Sequence, residues 1–182
     1  MTESWQLILI NSIFEGSVLF MLILFISAFF RGRSFPLKKS RLIRSVNYAL
    51  LSGSVFYIML ILIDIVMSFS ASEFDQYTVL NRYVGAYWLA IWPFMIVPYG
   101  ILPQILWFRK LRSSTTASMI VIVYWWFSSL IRIVPHFLAR SWDVLIYFDY
   151  PGLLLKVIIY IVIIGSLYFF LARKERNSLM YS

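Results

Sequence analysis

Apolar residues run almost unbroken along this chain, and short polar clusters divide them into five stretches, at about 5–30, 45–69, 83–108, 116–138 and 152–172. Each holds about 20 residues or more, enough for a helix to cross a hydrocarbon core roughly 30 Å thick. No linker or shift in composition separates them, so residues 1–182 read as one domain. The fold class expected is all-α, a polytopic transmembrane bundle of five spans.

The polar clusters differ in charge. Twelve of the 16 bases lie on one side: Arg31, Arg33, Lys38, Lys39, Arg41 and Arg44 after the first stretch, Arg109, Lys110 and Arg112 after the third, and Arg173, Lys174 and Arg176 after the fifth. Glu3, Glu73, Asp75, Asp143 and Asp149 fall on the other side, with only Arg82 and Arg140 among the bases there. Basic loops stay inside, so the amino terminus is expected outside and the carboxyl terminus in the cytoplasm. MTESWQLILI has no basic region of the kind that opens a cleaved signal, so the first helix is expected to remain. A bacterial inner membrane is the expected setting. Tyr77, Tyr83, Tyr87 and Trp88, and later Trp142, Tyr147, Phe148 and Tyr150, mark the outer interface, where amphipathic rings anchor helices.

Composition agrees: 62% of residues are hydrophobic and 13% charged, against about 25% charged in soluble domains. The net charge of +8 sits in the loops that orient helices, which argues against a nucleic-acid partner. With no cysteine and one histidine, the chain offers no disulfide, thiolate-held cluster or bis-histidine haem, and no metal site is expected. Phosphate-loop, zinc-protease and serine-hydrolase motifs are absent.

Five ionisable residues lie within the apolar stretches: Glu15, Asp64, Arg132, His136 and Lys156. With the expected topology, all fall between mid-membrane and the outer interface. A charge near the bilayer centre costs about 2.5–3.5 kcal/mol, so these residues are expected to face the bundle interior. Asn11 shares a helix face with Glu15, Tyr57 with Asp64, Ser128 and Ser129 with Arg132 and His136, and Tyr160 with Lys156. Arg132 is expected to be held by Glu15 or Asp64. Lys156 and Asp149 form a structural ion-pair set, Lys156 reaching either Asp149 or a deeper acid. One reading makes the whole set architectural, fixing helix registry. The other makes it a polar site open outward, with His136 and Asp64 accepting protons, Glu15 on the proton path, and Arg132, Ser128 and Tyr57 binding substrate.

The third stretch stands apart. WLAIWPFMIVPYGILPQILWF carries Pro93, Pro98 and Pro103 with Gly100, so a kinked or broken helix is expected. Such backbone is tolerated at membrane depth only against protein or a watery cavity.

From Tyr87 to Arg132 the chain has an aromatic start, prolines before Trp107, a basic RKLR turn, and a next stretch carrying an arginine toward its outer end. This resembles a helix pair of the NrfD/PsrC-type quinol-oxidising membrane subunits, as in alternative complex III. Residues 101–112, ILPQILWFRKLR, match the family's stretch, and Arg132 its outer arginine. The resemblance covers about a quarter of the chain. It implies helix bundles and a quinone or quinol pocket that needs no bound haem. Family members usually carry more spans than five, so the chain would be one bundle, a shortened relative or an accessory subunit. The expectation is a membrane subunit of a respiratory electron-transfer complex, forming or supporting a quinone site near the outer face. Its partners would be the lipid bilayer and other membrane subunits. A small proton-coupled transporter and a purely structural accessory subunit are the alternatives.

Overall fold

The computed structural model describes residues 5–29, 39–139 and 150–180; within these, the side chains of 23–29, 39, 132–139, 150, 151, 153 and 178–180 fall outside the description. Every element among the described residues is helical. Four long helices, α1 (Trp5–Phe29), α2 (Lys39–Phe69), α6 (Thr115–Ala139) and α7 (Tyr150–Met180), pack with a broken fifth rod. That rod comprises the short α4 (Trp88–Ile91), a π-helical segment (Trp92–Ile101) and a 3₁₀ segment (Leu102–Trp107). Two further short helices lie at its ends, α3 (Glu73–Tyr83) before it and α5 (Arg109–Arg112) after it.

Four segments are long and apolar enough to cross a membrane: Trp5–Leu22, Ser40–Phe69, Trp88–Trp107 and Leu154–Asn177. The apolar run of α6 is shorter among the described residues, Thr115–Ile131, although its backbone helix continues to Ala139. The third stretch differs from the expected 83–108. Tyr83 closes α3, a separate helix whose start is fixed by a capping box. The Ser72 hydroxyl accepts from the Asp75 amide at 3.2 Å, and the Asp75 carboxylate accepts from the Ser72 amide at 3.3 Å.

The packing is inside out by the standard of a soluble bundle. Ser12, Ser17, Ser45, Ser54, Ser118 and Ser128 are buried, while Ile120, Val123, Trp126 and Phe127 of α6 and Ile161, Val162, Phe169 and Phe170 of α7 are exposed. Lipid is as apolar as leucine, so burying large side chains gains little there; close backbone approach and satisfied hydroxyls hold helices together instead. Ser12 donates to the Ile8 carbonyl and Ser17 to that of Ile13, each at 2.6 Å, one turn back. Gly16 lies directly beneath the Tyr160 ring, so α1 and α7 meet where a side chain is missing. Gly53 similarly takes Ile13 of α1 onto α2. The core of Ile10, Phe14, Val46, Leu50, Leu106 and Val121 fills the space between these contacts.

The broken rod packs against α2 and α6, which repair its hydrogen bonding. In π geometry the amide of residue 98 would serve the carbonyl of residue 93, but Pro98 has no N–H. The Tyr124 hydroxyl of α6 donates to the Pro93 carbonyl instead, at 3.2 Å. In the 3₁₀ register Pro103 leaves the Gly100 carbonyl in the same position. The Ser54 hydroxyl donates to that carbonyl at 3.3 Å and the Gln104 amide at 3.1 Å. Gln104 also bonds Ser54 and accepts from the Trp107 indole.

Candidate functional site

The polar set of the sequence resolves into two places. In the bundle interior, Lys156 of α7 reaches Glu15 of α1 at 3.3 Å. Their side chains are 17% and 32% exposed, so the pair is only partly screened by solvent. A deeper acid on another helix is thus one partner of Lys156. Asp149 lies outside the described residues.

Around the same turn of α1 the core becomes aromatic. The Phe14 ring packs on Tyr99 with centroids 4.8 Å apart and stacks on Trp125 at 5.8 Å. Tyr99 in turn meets Tyr57 at 5.0 Å and the edge of Trp125 at 5.8 Å. Four elements thus converge here: α1, α2, the π segment and α6. Tyr57, expected beside a substrate, belongs to this cluster. Ser128, expected there too, is buried one turn beyond Trp125 and donates to the Tyr124 carbonyl at 2.8 Å.

Two buried donors in this region have no acceptor among the described residues: the indole N–H of Trp125 and the hydroxyl of Tyr160. Both side chains are only 5% exposed. Ser17 lies beside the Tyr160 hydroxyl without a hydrogen bond of good geometry to it. An unsatisfied buried donor costs about 1–3 kcal/mol. Trp125 and Tyr160 flank the turn Phe14–Gly16 through their contacts with Phe14 and Gly16, and Glu15 lies on that turn.

Asp64 stands elsewhere. It was expected to share the interior with Glu15 and Arg132, but its carboxylate accepts from Arg82 at 3.2 Å and from the Tyr83 hydroxyl at 3.4 Å, with its side chain 48% exposed. The reason is local: the α3 turn folds back against the end of α2 and brings Arg82 to the acid. Burial above all, then the Asp64 carboxylate, pushes the Tyr83 phenol above its ordinary pKa, against the opposing pull of Arg82. The signal that leads to this pair was in the sequence as Ser72-Glu73-Phe74-Asp75, which starts a helix ending at Arg82 and Tyr83. Arg132 and His136 lie on the α6 backbone, and their side chains fall outside the described residues. Among the described residues no cluster of three or more metal-binding side chains occurs.

Chemically, the interior brings together a cluster of mutually tilted aromatic rings, two neutral donors and a carboxylate–ammonium pair. Comparison with family models, curated proteins and solved structures finds no match to the chain.

Proposed function

We propose that this chain is a five-span bacterial inner-membrane protein, amino terminus outside, that forms part of a quinone or quinol site in a respiratory membrane complex. The observation that carries the reading is the pair of acceptorless donors, Trp125 Nε1 and Tyr160 Oη, on either side of the Phe14–Gly16 turn. Quinone carbonyls are acceptors, and the rings of Phe14, Tyr57 and Tyr99 suit a planar headgroup. Glu15, neutralised by Lys156, is the carboxylate on that turn for proton exchange. Arg132 and His136 lie further along α6 on the face that begins with Ser128. Asp64, held by Arg82 at the surface, is left out of the proton path and serves the outer hairpin.

The topology is directly testable because the chain has no cysteine. Single cysteines at Ser34, Ser141 and Ser182 are expected to react with a membrane-impermeant maleimide only from the inside, outside and inside respectively. Labelling of Ser141→Cys from the inside would refute the five-span topology. For the function, the tagged chain purified in mild detergent should bring redox subunits with haem, iron–sulfur or flavin absorption in fixed ratio. In that complex Trp125→Phe should raise KM for quinol while leaving assembly intact. A colourless homo-oligomer would refute the respiratory reading.

A second reading has its own observation. The π and 3₁₀ segments break a helix at membrane depth, as helices do in transporters. Solute uptake by proteoliposomes of the purified chain would favour it over the first.

A further inference from the structure

At the basic end of the bundle, a cavity of about 610 Å³ opens between α2, α5 and α7. Arg44, Arg109, Arg112 and Lys174 line it, with Glu175 as the acid. Glu175 is already engaged by Arg41 at 2.7 Å and by Arg44 at 3.5 Å. Among the described residues Arg109, Arg112 and Lys174 form no ion pair. The cavity therefore keeps a strong positive excess.

Its walls are held in place. The fully buried Asn47 donates to the Arg112 carbonyl at 2.9 Å and accepts from the Ser118 hydroxyl at 2.7 Å, tying α5 to α2 and α6. The Arg112 guanidinium lies over the Tyr48 ring, 4.6 Å from its centre. Tyr48 also borders a second hollow, an apolar groove of about 460 Å³ along α2, lined by Leu51, Ser52, Val55, Phe56, Met59 and Trp107. From Tyr48 to Met59 the helix rises roughly 16 Å, about half of a 30 Å hydrocarbon core.

We propose that the cavity and the groove together bind one anionic phospholipid of the leaflet at the basic end, its phosphate among Arg109, Arg112 and Lys174 and an acyl chain along α2 from Tyr48 to Met59. Charge selects the headgroup, since basic pockets between helices at this face attract anionic lipid phosphates. The apolar groove, which shares Tyr48 with that pocket as a lining residue, distinguishes a lipid from free phosphate. The inference rests on the membrane-spanning part of the proposed function and is independent of quinone. A chain that binds lipid but no quinol, or the reverse, separates the two.

The test uses the purified, delipidated full chain and follows thermal unfolding in detergent at physiological salt. Dipalmitoyl phosphatidylglycerol should raise the midpoint by several degrees, while dipalmitoyl phosphatidylcholine, dihexanoyl phosphatidylglycerol and inorganic phosphate should not. Removing two of the bases, in Arg109→Gln/Lys174→Gln, should weaken phosphatidylglycerol binding about thirtyfold. Arg173→Gln/Arg176→Gln removes the same charge from the same end outside the cavity and should leave binding unchanged. Equal shifts with phosphatidylcholine, an equal shift with inorganic phosphate or the short-chain lipid, or equal losses in the two double variants would each overturn the proposal. Because all four substituted bases are exposed, folding is not at stake in either variant.

Discussion

Two ion pairs of nearly equal length, Glu15–Lys156 at 3.3 Å and Asp64–Arg82 at 3.2 Å, stand in different surroundings. The first joins α1 to α7 with a lysine 17% exposed; the second closes the outer hairpin with both side chains close to half exposed. Distance alone would rank them as equals. Coulomb attraction and desolvation both grow as solvent leaves, so removing one partner costs far more inside than outside. The neighbourhood amplifies the contrast, because the interior pair sits beside the Gly16–Tyr160 contact while the outer pair ties the end of α2 to the short α3.

The largest break in that contrast comes from Gly16 itself. A methyl group there meets the Tyr160 ring, and α1 and α7 must move apart to admit it. Gly16→Ala should destabilise the bundle by about 3 kcal/mol. Gly165 on α7 has nothing within 4 Å of the same added atom. Gly165→Ala should therefore stabilise, by up to about 1 kcal/mol, through helix propensity alone. Reversible unfolding in mixed micelles would measure both, and equal effects would show that the α1–α7 contact is not tight.

Lys156→Met comes next. It leaves the Glu15 carboxylate without its ammonium in a partly buried position, at a cost of about 2 kcal/mol, less than for a fully buried pair because Glu15 is 32% exposed. Glu15→Gln in the same background should recover part of the loss, since the charge that lost its ammonium is then gone. Failure to recover would show that Lys156 contributes through packing of its stem rather than through charge.

How much of this was legible beforehand follows from the physics of each residue. The all-helical class was, because long apolar runs leave the backbone no other way to satisfy itself in lipid. That the third rod would be irregular also was, because Pro98 and Pro103 remove donors wherever they stand. Which residues repair it was not: Tyr124 and Ser54 reach Pro93 and Gly100 across helix contacts whose register the sequence does not print. For the site, the cost of a charge in lipid placed Glu15, Lys156 and Asp64 inside, and a shared helix face added Tyr57; for Asp64 that reasoning does not hold. Its depth from helix counting suggested the interior, and the α3 turn that carries Arg82 back to it overrode that estimate.

The repair of the rod sits between the two ion pairs in expected effect. Tyr124→Phe removes the donor to the Pro93 carbonyl and nothing else of comparable size, leaving a part-buried acceptor unpaired. The expected loss is about 1 kcal/mol. Hydrogen exchange should rise selectively over residues 92–101, where the π segment loses its outside support. Uniform exchange across the bundle would mean that the segment holds its shape without Tyr124.

Smallest of all should be Asp64→Asn. Both partners are close to half exposed, and an exposed pair of this kind is worth about 0.2–1 kcal/mol at most. Asparagine also keeps an acceptor for Arg82 and for the Tyr83 hydroxyl, so the expected loss is under about 0.5 kcal/mol. Salt provides the sharper discrimination. At 1 M ionic strength the screening length falls to about 3 Å, the length of the pair itself, so the Asp64–Arg82 coupling from a double-mutant cycle should vanish. The Glu15–Lys156 coupling, sheltered between α1 and α7, should survive most of that change. If both couplings fell together, solvent would reach the interior pair as freely as the outer one, and the Phe14–Gly16 turn would no longer stand as a sheltered place for a ring to bind.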